Sequence, residues 1–157
     1  MTKSILTTNA KTASVDALGT ILADTIDLAL ATKQAHWNIS GPRFLFLHEM
    51  LDGFRRDLDV HVDAVAERIV QLGEPARGTT QAVALSTRLD AYPIELRGEH
   101  NHLRELAERY GLVARKVREA VDQTGAAGDA NTSDILTGYS KMLDKCLWFM
   151  EAHLQGS

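Results

Sequence analysis

Apolar residues recur at helical spacing in four long stretches of this chain. The first stretch follows Ser14, a residue type that favours a helix N-cap, and its apolar residues are Val15, Leu18, Leu22, Ile26, Ala29 and Leu30. This spacing predicts a helix that ends at Trp37 or Asn38. Gly41 and Pro42 follow, and proline stops a helix because it lacks an amide hydrogen and restricts the residue before it.

The second stretch predicts a long helix of roughly 30 residues. The helix begins near Arg43 or Phe44 and runs to about Leu72, where Gly73 is a typical C-terminal stop. Its apolar side is marked by Leu47, Leu51, Phe54, Leu58, Val62, Val65 and Ile69.

The segment that follows this helix is too long to be a tight turn. It runs from Gly73 to about Ala91, and its middle, Gln81–Arg88, is predicted to form a short helix with Val83 and Leu85 inward. Four long helices with one long crossover match a ferritin-like topology, whereas a simple up-down bundle needs only short loops. We therefore predict an all-α fold: a ferritin-like four-helix bundle with a short extra helix in the long crossover between helices 2 and 3.

The last two long stretches lie on either side of the loop Gly125–Gly128. The third helix is predicted from about Pro93, since proline is tolerated in a first turn, and its apolar residues are Leu96, Leu103, Leu106, Tyr110, Val113, Val117 and Val121. The fourth helix is predicted to start near Thr132 or Ser133, and its apolar residues are Ile135, Leu136, Met142, Leu143, Leu147, Phe149 and Met150.

The composition supports one helical domain after a short tail. Residues 1–13 are rich in Thr, Ser, Asn and Lys and are predicted to be a flexible N-terminal tail, so that residues 14–157 form the bundle domain. The chain is 45% hydrophobic and 6% aromatic, with only 3 prolines, which favours an all-helical domain. The single cysteine, Cys146, excludes an internal disulfide and a zinc site built on cysteine pairs.

The sequence also points to the cytoplasm. Residues 1–11 hold no apolar core of signal-peptide length, and the longest plain apolar run, residues 28–31, is far too short to cross a bilayer. The formal net charge of −4 argues against a nucleic-acid-binding globular surface, because phosphate binding depends mainly on Lys and Arg. We expect a cytoplasmic protein with no membrane partner.

Five imidazole and carboxylate side chains suggest a metal site: His36, His48, Asp52, Asp63 and Glu67. These ligand types suit iron and similar divalent metals. His48 and Asp52 are four residues apart, as are Asp63 and Glu67, so each pair shares a helix face. The two pairs point the same way, because the eleven residues from Asp52 to Asp63 differ by about 20° from a whole number of turns.

One helix cannot bring both pairs to one ion. Eleven residues separate the pairs by roughly 16 Å along the axis, whereas a metal ion needs its ligands at about 2 Å. Two antiparallel copies of the helix, related by a two-fold axis near residues 57 and 58, bring the His48 pair of one chain to the Glu67 pair of the other. His36, at the end of the neighbouring helix, can complete the histidine side. The spacing thus indicates a symmetric dimer with two metal sites across its interface.

Other interpretations of these charged residues stay open at this point. Acidic residues at helical spacing are also typical of a solvated helix face, and the second helix carries further charges at Arg55, Arg56, Asp57, Asp59 and Arg68. A di-iron centre within one chain would need a Glu-x-x-His pair on each of two helices. The chain has one such match, Glu99 to His102, and no second one. We therefore expect Glu99 and His102 to be surface residues.

In the segments that hold the five ligands, the chain resembles the Dps family, small ferritin-like proteins that protect DNA in starved or oxidatively stressed bacteria. The matching segments are Lys33–Asn38, Gly41–Pro42, Leu47–Asp52, Asp63–Leu72, Ala91–Pro93 and Asp144–Phe149. They cover nearly everything after the tail, and the His-Trp-Asn and Leu-His-Glu segments at this separation are highly specific.

The resemblance implies a hollow shell of twelve chains, built from two-fold dimers, with a ferroxidase site at each dimer interface. It implies that iron, as Fe(II), is oxidised there, preferentially by hydrogen peroxide, and that Fe(III) is stored as mineral in the cavity. The catalytic and metal-binding residues of the family correspond to His36, His48, Asp52, Asp63 and Glu67. All five positions hold the family's residue types.

Two further expectations concern the pores and DNA. Acidic pores of the family are lined from the start of the last helix, where Asp134 matches best and Asp129 less closely. Members that condense DNA often have a longer, Lys-rich tail, whereas the basic residues of this tail are Lys3 and Lys11. We expect at most weak DNA binding, with association with the nucleoid if it occurs. The alternative function is a nucleoid-packaging DNA-binding protein in which iron oxidation is secondary.

Overall fold

The computed structural model describes residues 5–156. This part of the chain contains four long helices and one short helix. The helices are α1 Thr8–Asn38, α2 Phe44–Gln71, α3 Thr80–Ser86, α4 Glu99–Ala126 and α5 Ala130–Leu154. The four long helices pack as a bundle, and α3 lies in the crossover between α2 and α4. The predicted all-α, ferritin-like architecture is confirmed. None of the helices within residues 5–156 is long and apolar enough to cross a membrane.

Helix α1 begins about two turns before the predicted residue. Its N-cap is Thr7, whose hydroxyl accepts a hydrogen bond from the Ala10 amide at 3.1 Å. Ala10 is buried, so this first turn already packs on the bundle. Ser14 lies inside the helix, where its hydroxyl donates to the Asp129 carboxylate at 2.7 Å instead of capping a helix end. The predicted tail therefore ends before residue 8 rather than at residue 13, and its first four residues lie outside the described part of the chain.

Helices α4 and α5 also begin at residues other than those predicted. The residues after Pro93 form a turn, in which the Leu96 amide donates to the Pro93 carbonyl at 3.2 Å. Gly98 then adopts φ +81°, a left-handed conformation that favours glycine, and α4 starts only after it. The N-cap of α5 is Asp129, whose carboxylate accepts a hydrogen bond from the Thr132 amide at 3.1 Å. Thr132 therefore lies in the first turn of α5 and not at its cap.

Two buried tyrosines connect the later helices to α1 through their hydroxyl groups. Tyr139 of α5 pairs with Thr25 at 2.8 Å, and Tyr110 of α4 pairs with Thr32 at 2.9 Å. Each threonine hydroxyl also donates to a carbonyl one turn back in α1, so the tyrosine is the donor in each pair. The apolar core around them includes Leu18, Leu22, Leu47, Leu51, Leu58, Leu103, Leu106, Leu136 and Leu143.

An ion pair with a buried carboxylate holds the crossover against α1. The fully buried carboxylate of Asp24 accepts three hydrogen bonds from Arg88, from its amide at 2.8 Å and from Nε and Nη2 at 2.8 and 2.6 Å. Val83 of α3 is buried, as predicted. Leu85, which was also predicted to point inward, is 89% exposed, so Val83 is the one buried residue of α3.

Candidate metal site

The two predicted histidine ligands lie together where α1 ends and α2 begins. The imidazole rings of His36 and His48 stack with their centroids 3.7 Å apart and an interplanar angle of 19°. His36 Nδ1 lies 2.7 Å from the carbonyl oxygen of His48, and His48 Nδ1 lies 2.8 Å from the carbonyl oxygen of His36. Because a carbonyl oxygen only accepts hydrogen bonds, both Nδ1 atoms carry a proton.

These crossed hydrogen bonds determine what the two rings can bind. In a neutral imidazole with its proton on Nδ1, the Nε2 atom keeps a lone pair. Histidine ligands of metals are usually oriented in this way, by a hydrogen bond from the other ring nitrogen to a carbonyl or carboxylate oxygen. His36 and His48 thus offer two candidate nitrogen ligands whose orientation the backbone already holds.

Asp52 lies one helical turn beyond His48 and is anionic. Its carboxylate pairs with Lys33 of α1 and, at 3.0 Å, with Arg56 of α2. The hydrogen bond from Lys33 is the main reason why the pKa of Asp52 is lowered from its ordinary value, and the charges of Lys33 and Arg56 act in the same direction. The anionic form is the one in which a carboxylate can contribute to binding a cation.

The other two predicted ligands, Asp63 and Glu67, are exposed on the same side of α2 but farther along it. Within residues 5–156 of one chain, no three His, Cys, Asp or Glu side chains lie close enough together to hold a metal ion. One chain therefore presents two separate groups. We call His36, His48 and Asp52 the histidine half-site, and Asp63 and Glu67 the acidic half-site.

The exposed side of α2 carries apolar residues as well as ligands. Leu45 near its start is 64% exposed, and Val70 near its end is 59% exposed. At about 100° per residue, both lie within about 20° of Asp52 around the helix axis. Large exposed apolar side chains thus lie on the ligand-bearing face of α2 near both of its ends.

Glu99 and His102, which were expected at the surface, are largely buried. His102 is 1% exposed, and its Nδ1 lies 2.7 Å from the hydroxyl oxygen of Tyr92. Burial lowers the pKa of His102 because it disfavours the imidazolium form. Glu99 forms an ion pair with Arg43 at 2.7 Å, with only 12% of its side chain exposed. The sequence carries no local signal for the environment of Glu99, because its partner Arg43 lies 56 residues away in the chain.

The two acidic residues expected at a pore have different environments. Asp134 is exposed near the start of α5. Asp129 is 1% exposed, and its carboxylate is engaged by Ser14, Arg68 and Thr132. Asp129 therefore joins α1, α2 and α5 inside the bundle, and the expectation that it lines a pore is wrong. Asp134 stays a candidate.

The chain is similar to known proteins along almost its whole length. It is 53% identical over 154 residues to the DNA protection during starvation protein of Agrobacterium fabrum, which covers 98% of this chain and 95% of that protein. The chain belongs to the Dps family. Its residues 15–156 match the family model of the ferritin-like domain. It is also 34% identical to the DNA protection during starvation protein of Mycolicibacterium smegmatis, over 83% of this chain and 71% of that protein.

Solved Dps structures have the same fold. A Dps from Mycobacterium smegmatis matches with a TM-score of 0.93 at 32% identity and covers 98% of this chain and 93% of that one. DpsC from Streptomyces coelicolor matches with a TM-score of 0.94 at 30% identity and covers 98% of this chain and 90% of that one. The resemblance to the Dps family that the ligand segments indicate is thereby confirmed.

Proposed function

We propose that this Dps-family protein is a ferroxidase and iron-storage protein that protects DNA from oxidative damage. The observation that carries the proposal is the histidine half-site, in which two imidazoles with free Nε2 lone pairs lie beside an anionic Asp52. Imidazole nitrogen and carboxylate oxygen together suit Fe(II). The half-site supplies ligands of both kinds but does not enclose an ion by itself.

The acidic half-site of a second copy supplies the missing ligands in this proposal. In an antiparallel pair of α2 helices, positions that are symmetric about the point between residues 57 and 58 lie opposite one another. Asp52 of one chain then faces Asp63 of the other, and His48 faces Glu67. Such an interface is self-complementary, so one dimer holds two complete sites.

Residues that are not ligands support the same register. Leu45 and Val70 are symmetric about the same point, so the arrangement that assembles the ligands also covers these two exposed apolar side chains. Arg56 and Asp59 are symmetric about it too, and they would face each other with opposite charges near the axis. Ligands, apolar residues and charged residues thus favour one and the same pairing of helices.

The chemistry requires that two iron ions give their electrons together. Two Fe(II) ions each transfer one electron to hydrogen peroxide, its O–O bond breaks, and two protons complete two water molecules while two Fe(III) ions form. Because both electrons are used, no hydroxyl radical is released. Asp52 and Glu67 of the second copy neutralise the more tightly held iron, and the histidines complete that site or hold the second ion.

The proposal extends to a shell of twelve chains that stores the Fe(III) as mineral. Asp134, exposed near the start of α5, is our candidate for the pore that concentrates incoming Fe(II). The net charge of −4 per chain disfavours direct DNA packaging. Lys11, one of the two lysines of the predicted tail, lies in α1 with its ammonium group 3.8 Å from Glu74. DNA protection would then come from removal of Fe(II) and peroxide.

The test measures Fe(III) absorbance after hydrogen peroxide is added to protein loaded anaerobically with Fe(II). Wild type should form Fe(III) rapidly and consume two Fe(II) per peroxide, and Asp52→Ala should lose most of the rate. Asp144→Ala is the matched control, because it removes another partly exposed carboxylate that pairs with an arginine, Arg118, and it should behave as wild type. Equal rates for wild type and Asp52→Ala would overturn the proposal.

A further inference from the structure

Helix α2 has no capping side chain of its own. Arg43 occupies its N-cap position, and the Arg43 side chain makes no capping hydrogen bond. The carboxylate of Glu99, at the start of α4, takes this role: Oε2 accepts a hydrogen bond from the Arg43 amide at 3.0 Å, and Oε1 accepts one from Arg43 Nε at 2.7 Å. A negative charge at this end of α2 is also favoured by the helix dipole.

Glu99 holds the other side of the α1–α2 turn as well. Its amide donates to the Ser40 carbonyl at 2.9 Å. Its side chain lies so close to Gly41 that a Cβ atom on Gly41 would be 2.5 Å from Oε2. Gly41 has φ +146°, a conformation that favours glycine. Burial raises the pKa of Glu99, but the hydrogen bonds and charge of Arg43 outweigh burial, and the pKa is lowered.

The position of this turn decides how the two histidines meet. His36 lies in the last turn of α1, and His48 lies just beyond the first turn of α2. Their crossed hydrogen bonds run from one helix to the other. The rings can stack at 3.7 Å only if α2 leaves α1 at one particular distance and direction. Residues 39–43, together with the packing of α1 against α2, set that distance and direction.

We propose that Glu99 is a positioning residue for the histidine half-site. It holds the start of α2 so that His36 and His48 keep their stack and both Nε2 atoms keep the orientation in which they can bind metal. Glu99 acts through the Ser40–Arg43 turn and is not a ligand. The identity of the metal as Fe(II) rests on the proposed function. The effect of Glu99 on the two imidazole rings does not.

A purely structural role is the competing explanation. Arg43 also donates from Nη1 to the His153 carbonyl oxygen at 3.0 Å, so the same cluster ties down the end of α5. Loss of Glu99 could therefore lower stability without any effect on the histidines. The experiment must separate a positioning role of Glu99 from a purely structural one, so it measures metal affinity and ring geometry in the folded protein.

Glu99→Gln is the main variant, because it keeps the shape but turns one oxygen into an amide group that faces an Arg43 donor. Gly41→Ala is the second variant, because its Cβ displaces the Glu99 carboxylate without removing it. For both we expect Co(II), a spectroscopic probe for Fe(II), to bind about tenfold more weakly, as for other residues that orient metal ligands. Crystal structures should show the His36–His48 centroid distance longer than 3.7 Å.

Glu105→Gln is the matched control. It removes a carboxylate of the same helix that also pairs with an arginine, Arg109, but within α4. Co(II) affinity should stay at the wild-type value in this variant, even if its melting temperature falls as far as that of Glu99→Gln. If Gly41→Ala does not fold, Arg43→Lys replaces it, because lysine lacks the Nε donor that Glu99 Oε1 requires.

The outcomes separate this inference from the proposed function. Unchanged Co(II) affinity and an unchanged ring stack in Glu99→Gln would overturn the inference, even if wild type oxidises iron. If wild type oxidises no iron, the proposed function fails. The inference is then decided by the ring stack alone, which should still open in Glu99→Gln and stay closed in Glu105→Gln.

Discussion

Lys33 of α1 donates a hydrogen bond to Oδ1 of Asp52 at the place where the proposed site needs a metal ion. This contact prepares the ligand, because it lowers the pKa of Asp52 and keeps the carboxylate anionic. It also competes with the metal, because an ion that binds Oδ1 must displace the ammonium group. The balance between the two effects depends on pH.

We expect Lys33→Met to bind Co(II) more tightly than wild type at about pH 7, where the Asp carboxyl group is ionised with or without Lys33. The order should reverse in acid. The pKa of Asp52 rises towards its ordinary value when Lys33 is absent, so the variant loses metal at a higher pH than wild type. Titrations across the acid range measure both effects.

The control is Lys116→Met, which breaks the exposed pair with Glu119. Weaker Co(II) binding by Lys33→Met than by wild type at neutral pH would contradict the explanation.

Asp129 should make the stability of the fold depend on pH in acid. Its buried carboxylate accepts hydrogen bonds from Thr132 and Ser14 and pairs with Arg68 at 2.9 Å. Burial raises the pKa of Asp129, but these partners outweigh burial and lower it. Because the pKa is lower in the folded protein than in the unfolded chain, the stabilisation is complete above the unfolded value of about 3.9 and is lost as the pH falls through the folded value.

The variant Asp129→Asn therefore tests this contribution directly. We expect it to lower the free energy of unfolding by about 2–3 kcal/mol at neutral pH, because Arg68 loses the charge of its buried partner. The difference from wild type should begin to shrink below about pH 4, where the carboxyl group of the unfolded chain becomes protonated, and should be smallest below the lowered pKa of Asp129 in the folded protein. Chemical denaturation at a series of pH values measures it. A difference that stays constant into strong acid would show that the charge of Asp129 is not the cause.

The hydrophobic pattern predicts the interiors of these helices better than their ends, for a physical reason. An interior such as that of α2 is indicated by many apolar residues at once, and each buries surface on the same side. An end depends on single hydrogen bonds, whose partners can lie anywhere in the chain. Ser14 has the residue type of an N-cap, yet its hydroxyl bonds Asp129, which is 115 residues away.

The candidate site likewise combines features that the sequence indicates locally with features that depend on the folded bundle. Its five candidate ligands could be proposed from the sequence, because residue type and helical spacing are local properties, and they stay a prediction. The roles of Lys33 and Glu99 could not, because they depend on how α1 and α4 approach α2 in the folded bundle. Glu99 in particular was expected at the surface and is instead the cap of another helix. The dimer register is not tested by one chain and stays a prediction.

Opposite charges introduced at Leu45 and Val70 test that register. Leu45→Asp and Val70→Lys each place a charge against an apolar side chain in the antiparallel dimer, so each single variant should dissociate and lose iron oxidation with all five ligands intact. In the double variant the two new charges face each other at both ends of the interface, and assembly and activity should return. Sedimentation velocity measures assembly, and the rate of Fe(III) formation measures activity.

The control for this exchange is Leu85→Asp, which changes an exposed leucine of α3, away from the α2 face. It should leave assembly unchanged. A double variant that dissociates more than either single variant would mean that Leu45 and Val70 do not face each other, and the antiparallel register would be wrong.

Two inactive variants should recover activity together if each metal site is shared between chains. His48→Ala damages the histidine half-site, and Glu67→Ala damages the acidic half-site, so both sites are damaged in either homodimer. In a mixed dimer, one site lacks both His48 and Glu67, and the other site keeps all of its ligands. Co-expression with two different affinity tags isolates assemblies that contain both variants. If the chains pair at random, about half of the dimers are mixed, so Fe(II) oxidation should reach about a quarter of the wild-type rate. The control is the mixture of His48→Ala with Asp52→Ala, because both changes lie in the same half-site and every site of the mixed dimer stays damaged. Equal activity of the two mixtures would place the reaction within single chains.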